Sequence, residues 1–261
     1  MADDAATRWT QALQRWGIPA AIIDQAPQTP WIHHAESFRP TDDVFVDTPS
    51  RQRALEALCQ VVGESSLLDV GCGGGRAAFG LVPPAQTVVG VDQQQSMLDV
   101  FVEEATTRGI RARPILGAWP DIARAAPQCG VVICHHVLYN VPDLVPFVAE
   151  LTSHAKRRVV MELTLHHPLS NLSDAWSHFW GLERPSSPTA RDALAVALEL
   201  GARAAFESFV AVDDKSEVSD RDVEHTRIRL CLPESRDGDV REFLESRPSR
   251  PRELATIWWD T

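Results

Sequence analysis

From residue 66 onward, short runs of Val, Ile and Leu alternate with longer stretches in which apolar residues recur at helical spacing. The apolar runs are continuous, which is typical of parallel strands covered by helices on both faces. The pattern predicts strands at 67–70, 87–91, 114–116, 131–134, 159–163, 204–212 and 255–259. Helices are predicted at 96–108, 144–154 and 189–200, and the less regular stretch 223–232 also favours a helix. We therefore expect a doubly wound α/β fold around a mostly parallel seven-stranded sheet.

The first 48 residues differ from the rest of the chain. Trp9, Leu13 and Trp16 have the spacing of one helix face, which favours packing of the two indoles in a core. Further on, Thr48 and Pro49 are typical of an N-cap and a first helical residue. We therefore predict an N-terminal helical extension, residues 1–48, that packs onto a main domain formed by residues 49–261.

A glycine-rich turn follows the first predicted strand. Asp69 ends this strand and is followed by Gly71, Gly73 and Gly75 at every second position. Glycines at such a turn let the backbone approach a ligand closely, and the carboxylate can serve a cationic ligand group. Asp92 ends the next strand, where an acid can accept hydrogen bonds from ribose hydroxyls. Together these features indicate an adenosine-type cofactor.

In these motifs the chain resembles the class I S-adenosylmethionine-dependent methyltransferases, over about residues 50–165. Met97 and Leu98 follow Asp92 as in that family, and the segment 134–141 is similar to the one that borders the methionine moiety. Ala118 stands where the family usually has an acid, so the ring or backbone of Trp119 is expected to contact adenine. The resemblance also implies an antiparallel C-terminal strand. It implies a site for S-adenosylmethionine made of Asp69, Gly71, Cys72, Gly73, Asp92, Gln93, Met97, Ala118, Trp119 and Cys134.

Candidate residues for the methyl acceptor lie after the fourth and fifth strands. Six of the nine histidines form adjacent pairs, at 33–34, 135–136 and 166–167. Because the ligand crevice of an open α/β sheet lies outside the C-terminal strand ends, we expect the second and third pairs to face it. A neutral imidazole there can accept a proton during methyl transfer, and the alternative is a structural role in packing. The candidates for catalysis are His135, His136 and His166, and those for the pocket wall, if they do not simply fill a core, are Trp31, Trp176 and Trp180.

Composition narrows the choice of partner. The net charge of −11 disfavours nucleic acid and anionic membranes, because phosphate binding depends on Lys and Arg. The sequence has no apparent signal peptide and no apolar run long enough to span a bilayer. The five scattered cysteines favour reduced thiols in the cytoplasm. We expect a small-molecule acceptor and no metal, since no ligand spacing supports one, and the oligomeric state stays open.

Two alternatives remain beside the methyltransferase. A nicotinamide-binding Rossmann enzyme is favoured only by the loose pattern formed by Gly73, Gly75 and Ala78. That register leaves Asp69 without a role. The other alternative is a regulator that binds S-adenosylmethionine without turning it over.

Overall fold

A computed structural model describes residues 4–31, 38–40, 45–60, 65–211, 217–247 and 251–261. Its strands are β1 (Ser66–Val70), β2 (Thr87–Asp92), β3 (Ala112–Leu116), β4 (Cys129–His135), β5 (Ala155–Thr164), β6 (Ala205–Val210) and β7 (Glu253–Asp260). Its helices are α1 (Ala5–Gln14), α2 (Ala20–Ile23), α3 (Pro49–Cys59), α4 (Arg76–Phe79), α5 (Gln95–Thr107), α6 (Leu144–His154), α7 (Ser173–Trp180), α8 (Ala190–Glu199), α9 (Asp220–Arg229) and α10 (Asp237–Ser246). The histidine pair at 33–34 lies outside the described residues.

The strands form one seven-stranded sheet in the order β3-β2-β1-β4-β5-β7-β6. Strands β1 to β5 pair in parallel, and β7 is antiparallel to both β5 and β6. The predicted mostly parallel sheet and the antiparallel final strand are confirmed, as is the helix in the ambiguous stretch, which is α9. The topology reverses at β1, where β2 lies on one side and β4 on the other. In open α/β sheets such a switch point opens a crevice at the C-terminal strand ends.

Two helix starts are capped, the first of them as predicted. The Thr48 hydroxyl accepts a hydrogen bond from the backbone N–H of Arg51, and Pro49 is the first residue of α3. Thr189 and Asp192 form a capping box at the start of α8. These local bonds satisfy backbone donors that a helix leaves unpaired at its N-terminus, so they fix where each helix begins.

The sheet is covered on both faces. Helices α1, α6 and α8 contribute to one apolar cluster, which includes Trp9, and α3, α4 and α5 contribute to the other. Neighbouring residues of β7 divide between the two clusters, because successive side chains of a strand point to opposite faces. Trp259 is buried in the first cluster, and Trp258 packs against the second beneath the guanidinium of Arg53. The burial of Trp9 agrees with the interpretation of α1 as a helix with a buried face.

A third apolar cluster lies beside the sheet and joins segments that are far apart in sequence. Helices α2, α7, α9 and α10 surround it, and we refer to them as the helical cap. Trp176 is 1% exposed at its centre, and the indole N–H of Trp180 donates to the carbonyl of Leu230 at 2.8 Å. Within the described ranges, none of the helices has both the length and the apolar character needed to cross a membrane.

Candidate functional site

The glycine-rich turn after β1 holds its backbone close to neighbouring segments. Gly71 and Gly73 have φ values of +75° and +50°, which side chains disfavour. The backbone N–H groups of Gly71 and Cys72 both donate to the carbonyl of Val91, at 2.8 and 3.0 Å. A Cβ on Gly71 would lie 2.2 Å from Cγ2 of Val137, in the segment after β4. The turn therefore needs glycine at this position for both its conformation and its packing.

Asp92 ends β2 and faces the glycine turn. Its carboxylate accepts hydrogen bonds from the backbone N–H of Gly73 at 3.0 Å and of Gln94 at 2.9 Å. These two bonds hold the carboxylate at the edge of the turn, where the sequence predicts contact with ribose hydroxyls. An acceptor-only group in this position suits a ligand with two adjacent hydroxyl donors.

Asp69, at the end of β1, is buried at 1% exposure. Neither of its carboxylate oxygens has a hydrogen-bond partner among the described residues. Burial, with a smaller contribution from the negative charge of Asp92, raises the pKa of Asp69 to about 8. A buried carboxylate without a donor is costly, so this site is suited to a ligand that brings a positive charge.

The turn after β3 provides the far end of the cleft. The side chain of Ala118 is small and exposed, and Trp119 is half-buried against the main core. The indole N–H of Trp119 donates to the carbonyl of Phe147 at 3.3 Å, and its ring meets His154 edge-on at 5.0 Å. The ring is therefore held in place by neighbouring groups and lines the cleft with one surface.

Nine of the ten residues predicted to bind the cofactor line one continuous cleft along the C-terminal edge of the sheet. The tenth, Cys134, lies below it and is fully buried. Burial, together with the negative charge of Asp69, raises the pKa of the Cys134 thiol. Cys134 therefore packs beneath the cleft floor as a neutral group.

The histidines separate into two groups. His135, His136 and His167 line the cleft, whereas His166 does not. The His166 side chain is 54% exposed, and its Nε2 lies 4.0 Å from a carboxylate oxygen of Glu253. Of the three catalytic candidates, His135 and His136 therefore lie at the cleft and His166 does not. Its neighbour His167 lines the cleft instead.

His136 contacts a carboxylate that the sequence analysis did not single out. Its Nε2 lies 3.1 Å from Oε1 of Glu162, and its backbone N–H donates to the Glu162 carbonyl at 2.7 Å. The other carboxylate oxygen of Glu162 accepts a short hydrogen bond from the hydroxyl of Ser50. Burial acts to raise the pKa of Glu162, but these hydrogen bonds and the nearby imidazoles lower it to about 2. Glu162 is therefore an ionised acceptor.

His135 lies beside the same carboxylate and is half-buried. Its Nε2 is buried and has no hydrogen-bond partner among the described residues. Burial lowers the pKa of His135, although the charge of Glu162 opposes this shift. His135 is therefore a neutral imidazole at the floor of the cleft.

The cleft wall differs from the predicted one. Trp31 lines it and is 47% exposed, but Trp176 and Trp180 belong to the core of the helical cap. Trp16 of the extension takes a place in the wall, stacked on His167 with ring centroids 3.9 Å apart. Trp176 and Trp180 show that aromatic residues between strands can also build a separate core, which linear spacing does not distinguish from a pocket.

His167 is held by contacts on several sides. Its Nδ1 accepts a hydrogen bond from the backbone N–H of Leu169 at 3.3 Å, and Tyr139 meets its ring edge-on at 5.1 Å. Burial, with a contribution from the charge of Arg184, lowers the pKa of His167 to about 4. His167 is thus a fixed neutral ring.

Across the described residues, no three His, Cys, Asp or Glu side chains converge as a metal site would require.

The fold and this cleft define a Rossmann-like α/β protein with a cleft at its topological switch point. Comparison with known proteins adds to this, because residues 67–158 match a family model described as a methyltransferase domain. Over that part the chain is similar to methyltransferases.

Curated relatives match the same part of the chain. A ubiquinone biosynthesis O-methyltransferase of Saccharophagus degradans is 31% identical over 114 residues, which are 43% of this chain and 47% of that protein. A protein of the same description from Pseudomonas syringae pv. tomato is 29% identical over 114 residues, again 43% and 47% of the two chains. The chain thus spans about half the length of the curated relatives it matches.

Solved structures share the fold more widely. The YcgJ protein of Bacillus subtilis has a TM-score of 0.54 at 15% identity, covering 81% of this chain and 97% of that one. The plantazolicin methyltransferase BpumL, solved with S-adenosylhomocysteine, has a TM-score of 0.51 at 11% identity, covering 97% and 95%. At these identities the likeness concerns the fold.

Proposed function

We propose that this protein transfers the methyl group of S-adenosylmethionine to an oxygen atom of a small-molecule acceptor. The observation that carries the proposal is Asp69, a buried carboxylate without a donor at the glycine turn. The cofactor has a cationic amino group and a sulfonium, so it supplies the positive charge that this site lacks. Asp92 and the backbone of Gly71 and Gly73 would hold its ribose and methionine parts, and Trp119 its adenine.

The cofactor, when bound, supplies an electrophilic methyl group, and the protein positions the acceptor against it. Positioning and exclusion of water account for much of the rate in such a displacement. The acceptor side of the cleft is bordered by Trp16 and His167, with Trp31 at its edge. The curated relatives are named as O-methyltransferases, which supports an oxygen acceptor.

The charge supports a small acceptor, and the burial of the extension supports the proposed domain organisation. Trp9 is buried in the main core, and its indole N–H donates to the carbonyl of Val141 at 2.8 Å, which supports an extension that packs onto a domain formed by residues 49–261. The net charge of −11 disfavours an anionic polymer as substrate. Four of the five cysteines are buried and all are free thiols, which supports a cytoplasmic location.

Isothermal titration calorimetry with S-adenosylmethionine, S-adenosylhomocysteine and NADH tests the cofactor. We expect both sulfur nucleosides to bind and NADH not to. Asp92→Asn should weaken S-adenosylhomocysteine by about tenfold to a hundredfold, the range for loss of a hydrogen bond to a charged group. Asp99→Asn is the matched control, because Asp99 is exposed on α5 and bonds to Gln95 away from the cleft.

Release of S-adenosylhomocysteine in the presence of an acceptor separates an enzyme from a regulator that only binds the cofactor. Binding of NADH in place of both nucleosides would refute the proposal. Binding without turnover on any small-molecule class would favour the regulator instead.

A further inference from the structure

Glu162 is the one charged residue inside the apolar run of β5, and it is 7% exposed. It accepts hydrogen bonds from the Ser50 hydroxyl on one oxygen and from His136 on the other. The hydroxyl of Thr48 lies 3.0 Å from that of Ser50. Because an ionised carboxylate can only accept, Ser50 donates to Glu162 and Thr48 is left to donate to Ser50. Every proton in this chain of contacts therefore has a defined position.

The same reasoning fixes the tautomer of His136. When neutral, its ring carries the proton on Nε2, which donates to Glu162, and leaves a lone pair on Nδ1. The side chain is 39% exposed and lines the cleft. The ring thus presents a proton acceptor to the space where the methyl acceptor would lie.

The backbone at His136 supports a functional role for this arrangement. Its φ of +60° lies in the left-handed region, which is unfavourable for a residue with a side chain. Strain of this kind persists where surrounding contacts enforce it, and it is concentrated at functional sites. Here two contacts with Glu162, one from the backbone and one from the ring, hold the residue in place.

We infer that His136 is a catalytic general base for a hydroxyl acceptor of the phenol or enol type, and that Glu162 and Ser50 are its positioning residues. This inference rests on the proposed function and specifies its substrate class. The acceptor oxygen forms a bond to the methyl carbon while the carbon–sulfur bond breaks and its electron pair stays on sulfur. The hydroxyl proton passes to Nδ1 of His136. The resulting imidazolium is paired with the Glu162 carboxylate.

A hydroxyl acceptor explains the base, whereas a carboxylate acceptor does not. A carboxylate is already ionised at neutral pH and loses no proton when it is methylated. A phenol has a pKa of about 10, so at neutral pH it keeps its proton until a base removes it. General base catalysis typically contributes about 10²–10⁴-fold in rate.

The tautomer can be measured without any acceptor by ¹H–¹⁵N NMR of the histidine rings at pH 8. The His136 signals are identified by their loss in His136→Asn, a substitution chosen because Asn tolerates the left-handed backbone. We expect wild type to carry the proton on Nε2. In Glu162→Gln the Ser50 hydroxyl donates to the amide oxygen, so the amide N–H₂ faces His136 and the proton moves to Nδ1. A proton on Nδ1 in wild type would overturn the inference.

Activity is measured with phenol, 4-nitrophenol, benzoate and benzylamine as acceptors. We expect methyl transfer to the two phenols. On phenol, kcat should fall by about 10²-fold or more in His136→Asn and Glu162→Gln, and by about tenfold in Ser50→Ala. With 4-nitrophenol, which ionises near pH 7, the losses should be much smaller because little base catalysis is needed. His166→Gln, a neighbouring histidine outside the cleft, is the control and should retain kcat.

Failure of the inference and failure of the proposed function give different results. If S-adenosylhomocysteine does not bind wild type, the proposed function itself is refuted. If the cofactor binds but the methyl group is transferred only to benzoate or benzylamine, the proposal of a hydroxyl acceptor is overturned. The same holds if neither phenol is methylated. Equal losses on phenol and 4-nitrophenol would overturn the role of His136 as a base and leave it a structural one.

Discussion

Replacing Asp69 by Asn should stabilise the cofactor-free protein while weakening cofactor binding. The groups that face Asp69 are Asp92 from β2, Cys72 from the turn and Cys134 from β4, and none of them brings a positive charge. The carboxylate therefore keeps its proton in the folded protein to a pH of about 8, compared with its ordinary value of 3.8. Asn is neutral at every pH and avoids this conflict.

The magnitude follows from the difference between the two pKa values. Below pH 3.8 both folded and unfolded chains hold the proton and stability is unaffected. As pH rises toward 8 only the unfolded chain releases it, so the folded state loses about 1.4 kcal/mol per pH unit, or about 4 kcal/mol at pH 7. A buried unpaired amide costs about 1–3 kcal/mol in exchange. The net gain for Asp69→Asn is about 2 kcal/mol at pH 7, and near pH 5 it vanishes or reverses.

Urea unfolding at pH 5 and pH 7.5 without cofactor measures this gain, and calorimetry with S-adenosylhomocysteine measures the loss of binding. Asp92→Asn is the matched control. Its carboxylate accepts two backbone hydrogen bonds, so the same substitution should destabilise by about 1–2 kcal/mol at pH 7.5. The reasoning would be refuted if Asp69→Asn were less stable than wild type at pH 7.5. It would also be refuted if the stability advantage of the variant over wild type grew as the pH fell.

Three further predictions follow from single contacts. Gly71→Ala should abolish S-adenosylhomocysteine binding in calorimetry and lower Tm, because its Cβ would lie 2.2 Å from Val137 in a left-handed backbone. Arg184→Met should lower the free energy of unfolding by about 2 kcal/mol, since the guanidinium stacks on the Trp16 ring at 5.3 Å and donates to the Trp16 carbonyl. Limited proteolysis near residue 17 would detect the released extension. Trp119→Leu should weaken S-adenosylhomocysteine more than S-methylated amino acids without adenine in competition titrations, and equal effects on both would contradict a role of its ring at adenine.

The glycine turn and its facing acid were predictable because their parts are local. Asp69, Gly71 and Gly73 lie within five residues, and Asp92 ends the next strand along the chain. Local spacing therefore fixes both the turn and its facing acid, and the parallel pairing of β1 with β2 brings them together. The central strands β1, β2 and β4 followed equally well from their continuous apolar runs.

The part of the cleft proposed for the acceptor could not be predicted in the same way, because distant segments build it. Ser50 donates a hydrogen bond to Glu162, which lies 112 positions away in the sequence. Trp16 of the N-terminal extension stacks on His167, which follows β5. Pairing of β4 with β5 places His135 opposite Glu162, which spacing alone does not reveal. One signal was present, because a charged residue in a continuous apolar strand needs a partner.

Asp69 and Glu162 show how the same burial gives two different groups. Both are carboxylates at C-terminal strand ends and both are under 10% exposed. Asp69 has no donor among the described residues, and burial raises its pKa to about 8. Glu162 is surrounded by a hydroxyl and two imidazoles, which lower its pKa to about 2 despite burial. A buried carboxylate without a donor suits a cationic cofactor that binds and dissociates. A carboxylate that is hydrogen-bonded by the protein's own donors suits the lasting orientation of a base. The two halves of the cleft are therefore distinguished by whether the protein or the ligand supplies the partner.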